Sequence, residues 1–346
     1  MIELDGARHS GSGTLVRFGV ALAALAGQPL RVVNARERRP KPGLAAQHVA
    51  AVRACADLCG AETKGVAVGA RVFEFVPGSH ISGGEYAWDI GTGGSATMLA
   101  LGVLPLACLA DAPLRMRITG GVFQDFAPSP HHLAHVLLPL LARMGAAAEL
   151  EVLRPGYARG GEGAIELRVR PAPRGLAGLV LLDPGVVSEV CGAALASHLA
   201  ERSVAERMAE SCAAGLAARG LRARIEAVND SSAAEPGASL AVWAESSTGC
   251  RFGADRAGAP RRTSEAIGHF VADSLLEDLA SGATTDRHLA DQLIIFAALA
   301  NGVSRFSVPR VSAHVESNLW LAELFGARAR LDGTRVEISG MGQPAR

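Results

Sequence analysis

Aromatic side chains, net charge, paired cysteine motifs and long apolar runs are all scarce or absent in this chain. Only 4% of its 346 residues are aromatic, whereas 49% are hydrophobic. The core must therefore consist mainly of alanine, valine and leucine, with helices packed closely on sheets. This composition favours an α/β or α+β fold, and the length allows two domains or one large one.

The charges of the chain balance, with 34 lysines and arginines against 34 aspartates and glutamates. No overall positive field is therefore available to hold a long nucleic-acid backbone. Any contact with RNA must be local, and no DNA partner is expected.

The cysteines and the N-terminus both predict a cytoplasmic protein. No two cysteines form a CxxC pair, so we expect buried free thiols in a reducing compartment. The N-terminus lacks a basic segment followed by an apolar one, which argues against a signal peptide. The apolar run at 96–110 is shorter than the roughly 18 to 20 residues of a membrane helix, so no membrane partner is expected.

Three segments share one pattern, in which an apolar helix, a strand and an amphipathic helix follow one another. The second helix begins near a histidine (His48, His132 or His314) and ends near a glycine (Gly60, Gly145 or Gly326). Such self-similarity is typical of duplicated supersecondary units, and glycine is a common helix stop. We predict three βαβ-like modules, each with two helices on one face of a small mixed sheet.

A segment between the second and third units has its own strands and helices. Its flanks, LLDPG and SGATTD, are rich in turn-forming residues. We predict a small inserted α/β domain at 181–279 and a larger repeat domain formed by 1–180 and 280–346.

Three short segments are candidates for binding phosphate. The glycine-rich junctions HSGSG at 9–13 and DIGTGGS at 89–95 could present backbone N–H groups to an anion, although tight turns or close helix packing explain the glycines equally well. The run RERRPKPG at 36–43 gathers arginines beside two prolines that restrict the backbone. A solvated charged loop is the alternative there.

The histidines allow two kinds of chemistry. His131, His132 and His135 have a spacing found in zinc-binding helices, but no carboxylate lies nearby in sequence, so partly exposed histidines at a helix start are favoured. His314 could attack phosphorus through an unprotonated ring nitrogen. Because His48 holds the same place in its unit, position alone favours a second interpretation, in which His314 is no nucleophile and only begins a repeated helix.

Taken in order, the motifs resemble the RNA 3'-terminal phosphate cyclase family along nearly the whole chain. They are MIELDG at 1–6, R-x-x-R-P-x-P-G-L-x-x-Q-H at 36–48, DIGTGGS at 89–95, ITGG at 118–121, RGGEG at 159–163, LADQL at 289–293 and AHVESN at 313–318. The resemblance implies three two-helix, four-strand modules like the C-terminal domain of translation initiation factor 3, with a small domain inserted before the last.

The resemblance also implies an activity, a ligase-type nucleotidyl transfer that uses ATP with Mg²⁺ or Mn²⁺. His314 would attack the α-phosphorus of ATP, AMP would pass to an RNA 3'-phosphate, and the 2'-hydroxyl would close a 2',3'-cyclic phosphate. The positions that match nucleotide- and phosphate-binding groups of the family are Arg17, Arg36, Arg39, Gln47, Pro128, His288, Asp291 and Gln292.

The chain departs from the family pattern in its first loop. Ser10 replaces a glutamate that contacts metal in the family, and Thr14 replaces a glutamine. Loss of a carboxylate removes an oxygen ligand for Mg²⁺, so the metal ligands are left open. Two other functions therefore stay open: a cyclase-like protein that binds RNA or a partner without catalysis, and an adenylyltransferase with a different acceptor.

Overall fold

Helices alternate with small sheets in the computed structural model, which describes residues 1–157 and 160–342. Arg159, the first residue of the RGGEG motif, lies outside them. The described residues confirm a mixed α/β protein with several small sheets. No helix among them combines the length and the apolar character needed to cross a bilayer.

The first sheet has four strands in the order β1-β2-β4-β3. Strand β1 pairs with β2 in parallel, and the other pairings are antiparallel. The elements in chain order are β1 (Ile2–Asp5), α1 (Gly13–Ala26), β2 (Leu30–Val33), α2 (Ala46–Cys59), β3 (Glu62–Lys64) and β4 (Phe73–Val76). Gly27 and Gly60 end the two helices in the left-handed conformation that glycine adopts at little cost.

The second sheet repeats this arrangement in the order β5-β6-β8-β7, again with one parallel pair at the start. Its elements are β5 (Gly84–Asp89), α3 (Ala96–Ala107), β6 (Leu114–Gly120), α4 (Pro130–His132), a π-helical turn (Leu133–Leu137), α5 (Leu138–Met144), β7 (Ala147–Arg154) and β8 (Gly163–Arg170). The helices α4 and α5 continue one another through the π-helical turn.

A third sheet follows, in the order β10-β9-β11-β12. Its elements are β9 (Glu189–Ser197), a 3₁₀ turn (Ala200–Arg202), α6 (Val204–Ala217), β10 (Arg222–Asp230), β11 (Gly237–Glu245), β12 (Arg251–Ala257) and α7 (Ser264–Ala280). The segment thus has strands and helices of its own, as the sequence pattern predicts. Strand β12 contains glycine and three charged residues, which hide its alternation.

The last sheet, β13-β15-β14, takes an additional strand-like edge from earlier in the chain. Its elements are α8 (Leu289–Leu299), β13 (Val303–Ser307), α9 (Ala313–Leu324), β14 (Arg328–Asp332) and β15 (Arg335–Ser339). Ala177 and Val180 form parallel bridges with Asn301 and Arg305, so this segment lies beside β13 as β1 lies beside β2. The strands of the third sheet therefore lie, in chain order, between this edge segment and β13.

The core is aliphatic, as the composition predicts. Helix α1 packs against α2, α3 and α9 and is therefore buried from Gly13 to Leu25, with Thr14 and Arg17 as its two polar side chains. Small residues allow α1 to approach the sheet closely. A Cβ atom added to Gly19, for example, would lie only 2.7 Å from a methyl group of Leu4 on β1. All six cysteines are free thiols, and all except Cys191 are buried.

Candidate active site

A cavity of about 550 Å³ opens where the first turns of α1, α2, α3, α8 and α9 meet β12 and α7. Because helix N-termini carry unpaired N–H groups and a partial positive charge, this convergence favours an anion. All nine residues singled out by the family resemblance line the cavity, namely Arg17, Arg36, Arg39, Gln47, Pro128, His288, Asp291, Gln292 and His314. Their individual roles stay predictions.

Two arginines in the cavity each have a side-chain donor atom that finds no acceptor among the described residues. Arg17 extends from α1, is only 5% exposed, and has no acceptor for its Nε among the described residues. Burial lowers the pKa of Arg17 to about 10, with Asp291 acting in the opposite direction and Arg36 adding to the shift. The Nε of Arg36 also lacks a partner within the part of the chain that is described. Because an unpaired buried donor is costly, these groups suit an anionic ligand.

The loop after β2 fixes the Arg36 guanidinium. Its Nη1 donates to the carbonyl oxygens of Gly43 at 2.6 Å and Lys41 at 3.1 Å. The backbone at Arg36 has a φ of 56°, a conformation that a non-glycine residue adopts only when its surroundings hold it there. The loop therefore presents Arg36 in one orientation, while Arg39 is exposed at the cavity wall.

Gln47 and His48 lie in the first turn of α2, and their side chains make different contacts. The Gln47 Oε1 accepts a hydrogen bond from the Ser95 backbone N–H at 2.9 Å, which ties α2 to the start of α3. His48 is 3% exposed, and its Nδ1 accepts from the Ala45 N–H at 3.2 Å. Burial and the nearby Arg17 lower the pKa of His48 to about 2, so its ring is neutral.

His314 is the second residue of α9 and lies on the wall of the same cavity. Desolvation lowers its pKa, and the positive charges of Arg17 and Arg39 lower it further. The ring is therefore neutral at pH 7 and keeps an unprotonated nitrogen. His314 and His48 hold equivalent positions in their units, but His314 is exposed whereas His48 is packed against Gly13.

Asp291 and Gln292 extend from the first turn of α8. Burial raises the pKa of Asp291 to about 7, although Arg17 opposes that shift. Gln292 is 4% exposed, and its Oε1 has no donor among the described residues. The side chain of Asn318 donates to the Asp291 carbonyl at 2.7 Å, which joins α8 to α9. The cavity wall therefore offers an amide acceptor and a carboxyl group that can titrate near neutral pH.

The structure reveals a buried pair that the sequence pattern did not indicate. His131 and His135 are partly exposed, as predicted, whereas His132 is only 2% exposed, contrary to the prediction. Its Nε2 lies 3.0 Å from Asp286 Oδ2. Asp286 also accepts from the backbone N–H groups of Gly253, His288 and Leu289, each at 2.8 Å. Asp286 was missed because it is far from His132 in the sequence.

Comparison with known proteins identifies the family. A family model described as "RTC: RNA 3'-terminal phosphate cyclase" matches residues 8–330. This chain belongs to the RNA 3'-terminal phosphate cyclase family. The resemblance inferred from the ordered motifs is thereby confirmed.

Curated members of the cyclase family match this chain along nearly its whole length. A protein named RNA 3'-terminal phosphate cyclase from Methanopyrus kandleri is 36% identical and covers 100% of this chain and 97% of its own length. One of the same name from Methylococcus capsulatus is 39% identical, covering 99% and 95%. Among solved structures, the enolpyruvyl transferase NikO from Streptomyces tendae matches this chain with a TM-score of only 0.41. The two sequences are 11% identical, and the match covers 99% of this chain and 49% of the transferase.

The first loop is where this member of the cyclase family departs from the motif. Ser10 lies in a hydroxyl network, with Ser12 at 3.0 Å and Ser317 at 2.8 Å. Thr14 donates to the Asn318 side chain at 3.4 Å. The described residues contain no group of three or more histidine, cysteine, aspartate or glutamate side chains that could hold a metal ion.

Proposed function

We propose that this chain converts RNA 3'-phosphate ends to 2',3'-cyclic phosphates with ATP, through a covalent histidyl-AMP on His314. One observation carries the proposal: all nine residues matched to the family's nucleotide site line a single cavity at the start of five helices. A triphosphate requires positive charge from several directions, and helix N-termini with arginines supply it.

In the proposed first step the neutral ring of His314 attacks the α-phosphorus of ATP. A phosphorus–nitrogen bond forms, the bond to the bridging oxygen breaks, and pyrophosphate leaves. Arg17, Arg36 and Arg39 would bind the phosphate oxygens on which negative charge develops. The lowered pKa of His314 supports this step, because a protonated ring has no lone pair for attack.

In the second step an oxygen of the RNA 3'-phosphate attacks the AMP phosphorus, and the histidine leaves. In the third step the neighbouring 2'-hydroxyl attacks the activated 3'-phosphorus, AMP leaves, and the hydroxyl proton is released. The sequence of steps is chemically reasonable because a phosphomonoester becomes a good electrophile only once it is joined to a leaving group. ATP would enter with Mg²⁺ or Mn²⁺ already on its phosphates, as part of the substrate.

Labelling with ATP that carries ³²P at the α-phosphate tests this proposal. We expect acid-labile, alkali-stable label on the wild-type protein and none on His314→Ala, with pyrophosphate as the second product. His80→Ala serves as the matched control, because His80 is exposed and does not line the cavity. Absence of label in wild type, or undiminished label in His314→Ala, would contradict the mechanism.

Addition of an RNA with a 3'-phosphate separates cyclisation from the other two functions. Loss of the label with formation of a cyclic end supports the cyclase. Labelled protein that transfers AMP to another acceptor indicates an adenylyltransferase, and RNA binding without label indicates a non-catalytic relative. The non-catalytic function stays a second candidate because Ser10 stands where the family resemblance implies a glutamate.

We also propose that 181–279 folds as an inserted domain beside the repeat domain formed by 1–180 and 280–346. The separate sheet of β9 to β12 supports this division, and the shared strand orders of the first two sheets support modules like the C-terminal domain of translation initiation factor 3. Limited proteolysis should cut first near these two boundaries.

A further inference from the structure

Phe126 is the most exposed large hydrophobic residue among those described, at 93% exposure, yet it lines the cavity that contains His314. Phe126 lies in a turn and belongs to no helix or strand. Because burial of an aromatic ring is favourable, a ligand that covers Phe126 would gain binding free energy.

The chain on either side of Phe126 is held firmly. Asp125 accepts two hydrogen bonds from the guanidinium of Arg262, at 3.1 Å and 2.9 Å, and lies 3.5 Å from Arg256. Arg262 also donates to the Ala257 carbonyl. On the other side, the Ser129 N–H donates to Asp255 at 3.1 Å. The segment is therefore clamped to β12 and the residues that follow it.

The clamp holds Phe126 in a conformation that aromatic residues seldom adopt. Its φ is 65°, in the left-handed region where a Cβ crowds the backbone. Such strain persists only where the surroundings impose it, and it is concentrated at functional sites. Here the constrained backbone projects the side chain outward at the cavity, so this part of the chain loses little conformational entropy when a ligand binds.

The surroundings of the ring indicate what covers it. Arg256 stacks over the Phe270 ring at 4.3 Å, and both residues line the same cavity. Phe270 is itself 42% exposed. Exposed aromatic rings interleaved with arginine are the usual means of binding single-stranded nucleic acid, since every base has a face for stacking.

We propose that Phe126 stacks on a nucleobase close to the 3' end of the RNA. The proposal rests on the proposed function, in which the terminal phosphate reaches His314 inside the cavity and the RNA chain leaves through the opening. A base near the terminus must then pass the exposed ring. Pro128, also in the cavity, is left for the adenine of ATP, as the family resemblance implies.

Binding of a 5'-fluorescent RNA with a 3'-phosphate, measured by anisotropy, tests this inference without any catalytic step. We expect Phe126→Ala to weaken binding about tenfold, which is typical of one lost base–aromatic stack, and Phe126→Leu to weaken it similarly. Phe126→Trp should bind as wild type does. Leu182→Ala is the control, because Leu182 is 74% exposed but does not line the cavity.

A second set of RNAs, each lacking one base at successive positions from the 3' end, identifies the stacked base. Removing that base should weaken binding to wild type but not weaken binding to Phe126→Ala further. Labelling of Phe126→Ala by ATP is measured alongside, because a changed ATP requirement would place the ring against the nucleotide and not the RNA. Unchanged RNA affinity in Phe126→Ala, no RNA binding by wild type, or a raised ATP requirement in the variant would overturn the inference. Failure of His314 labelling with RNA binding that still depends on Phe126 would overturn only the proposed mechanism.

Discussion

Asp286 and His132 form a buried ion pair, with His132 Nε2 at 3.0 Å from the carboxylate and both side chains almost fully shielded from water. The electrostatic interaction raises the pKa of His132 and lowers that of Asp286, against the effect of burial on each. Asp286 also accepts from backbone N–H groups at the start of α8 and on β12, so one carboxylate joins α4, α8 and β12. Replacement of Asp286 should therefore lower the stability of the whole protein.

We expect Asp286→Ala to destabilise the protein by about 3 to 5 kcal/mol, because it leaves a buried histidine and three N–H groups without their acceptor. Thermal unfolding followed by circular dichroism measures the effect. Glu337→Gln is the matched control: it breaks the Arg305–Glu337 pair, whose side chains are 48% and 44% exposed, and should cost at most about 1 kcal/mol. Equal losses of stability in the two variants would show that the buried pair contributes no more than the exposed pair.

Arg17→Met should separate stability from activity. Methionine is apolar and of similar length, so it removes the cost of burying a guanidinium whose Nε has no partner among the described residues. We expect the melting temperature not to fall, whereas the rate of labelling by ATP drops about 100-fold through loss of a phosphate donor. Arg31→Met, at an exposed position on β2, is the control. A large drop in melting temperature would assign Arg17 to the core instead.

The pH dependence of the rate of labelling by ATP should reflect the protonation of His314. The neutral ring is the proposed nucleophile, so the rate falls as the pH falls through the pKa of His314. Because that pKa is lowered, the fall should begin below the ordinary histidine value of 6.5. Arg39→Ala removes one of the charges that lower it, and should shift the fall to higher pH, whereas Arg53→Ala, exposed on α2, should not. Identical profiles for the two variants would contradict the assignment.

Ser10→Glu tests whether the first loop limits activity. Glutamate at this position supplies the carboxylate that the family resemblance implies, and with it an oxygen ligand for a divalent cation. We expect faster labelling with Mg²⁺ or Mn²⁺, together with a slight loss of stability, since Ser10 bonds to Ser12 and Ser317. Ser79→Glu, exposed and away from the cavity, controls for added charge. No gain in labelling would mean that the loop needs more than this carboxylate.

Much of the candidate site could be predicted from the sequence because its residues lie in short motifs. Arg36, Arg39 and Gln47 occupy one such motif, and Asp291 with Gln292 another, so the family resemblance that these motifs carry implies them as site residues. The Phe126 ring and the Asp286–His132 pair could not be predicted. Both depend on contacts with β12 and its neighbours, which are distant in the chain.

The sequence by itself determined the α/β class, the helix starts marked by His48, His132 and His314, and the family. These features follow from local periodicity, glycine stops and ordered motifs. Only the tertiary structure decided which of those histidines meets solvent in the cavity, because burial depends on what packs against each helix. His48 is enclosed beside Gly13 and His132 by Asp286, whereas His314 is left on the cavity wall.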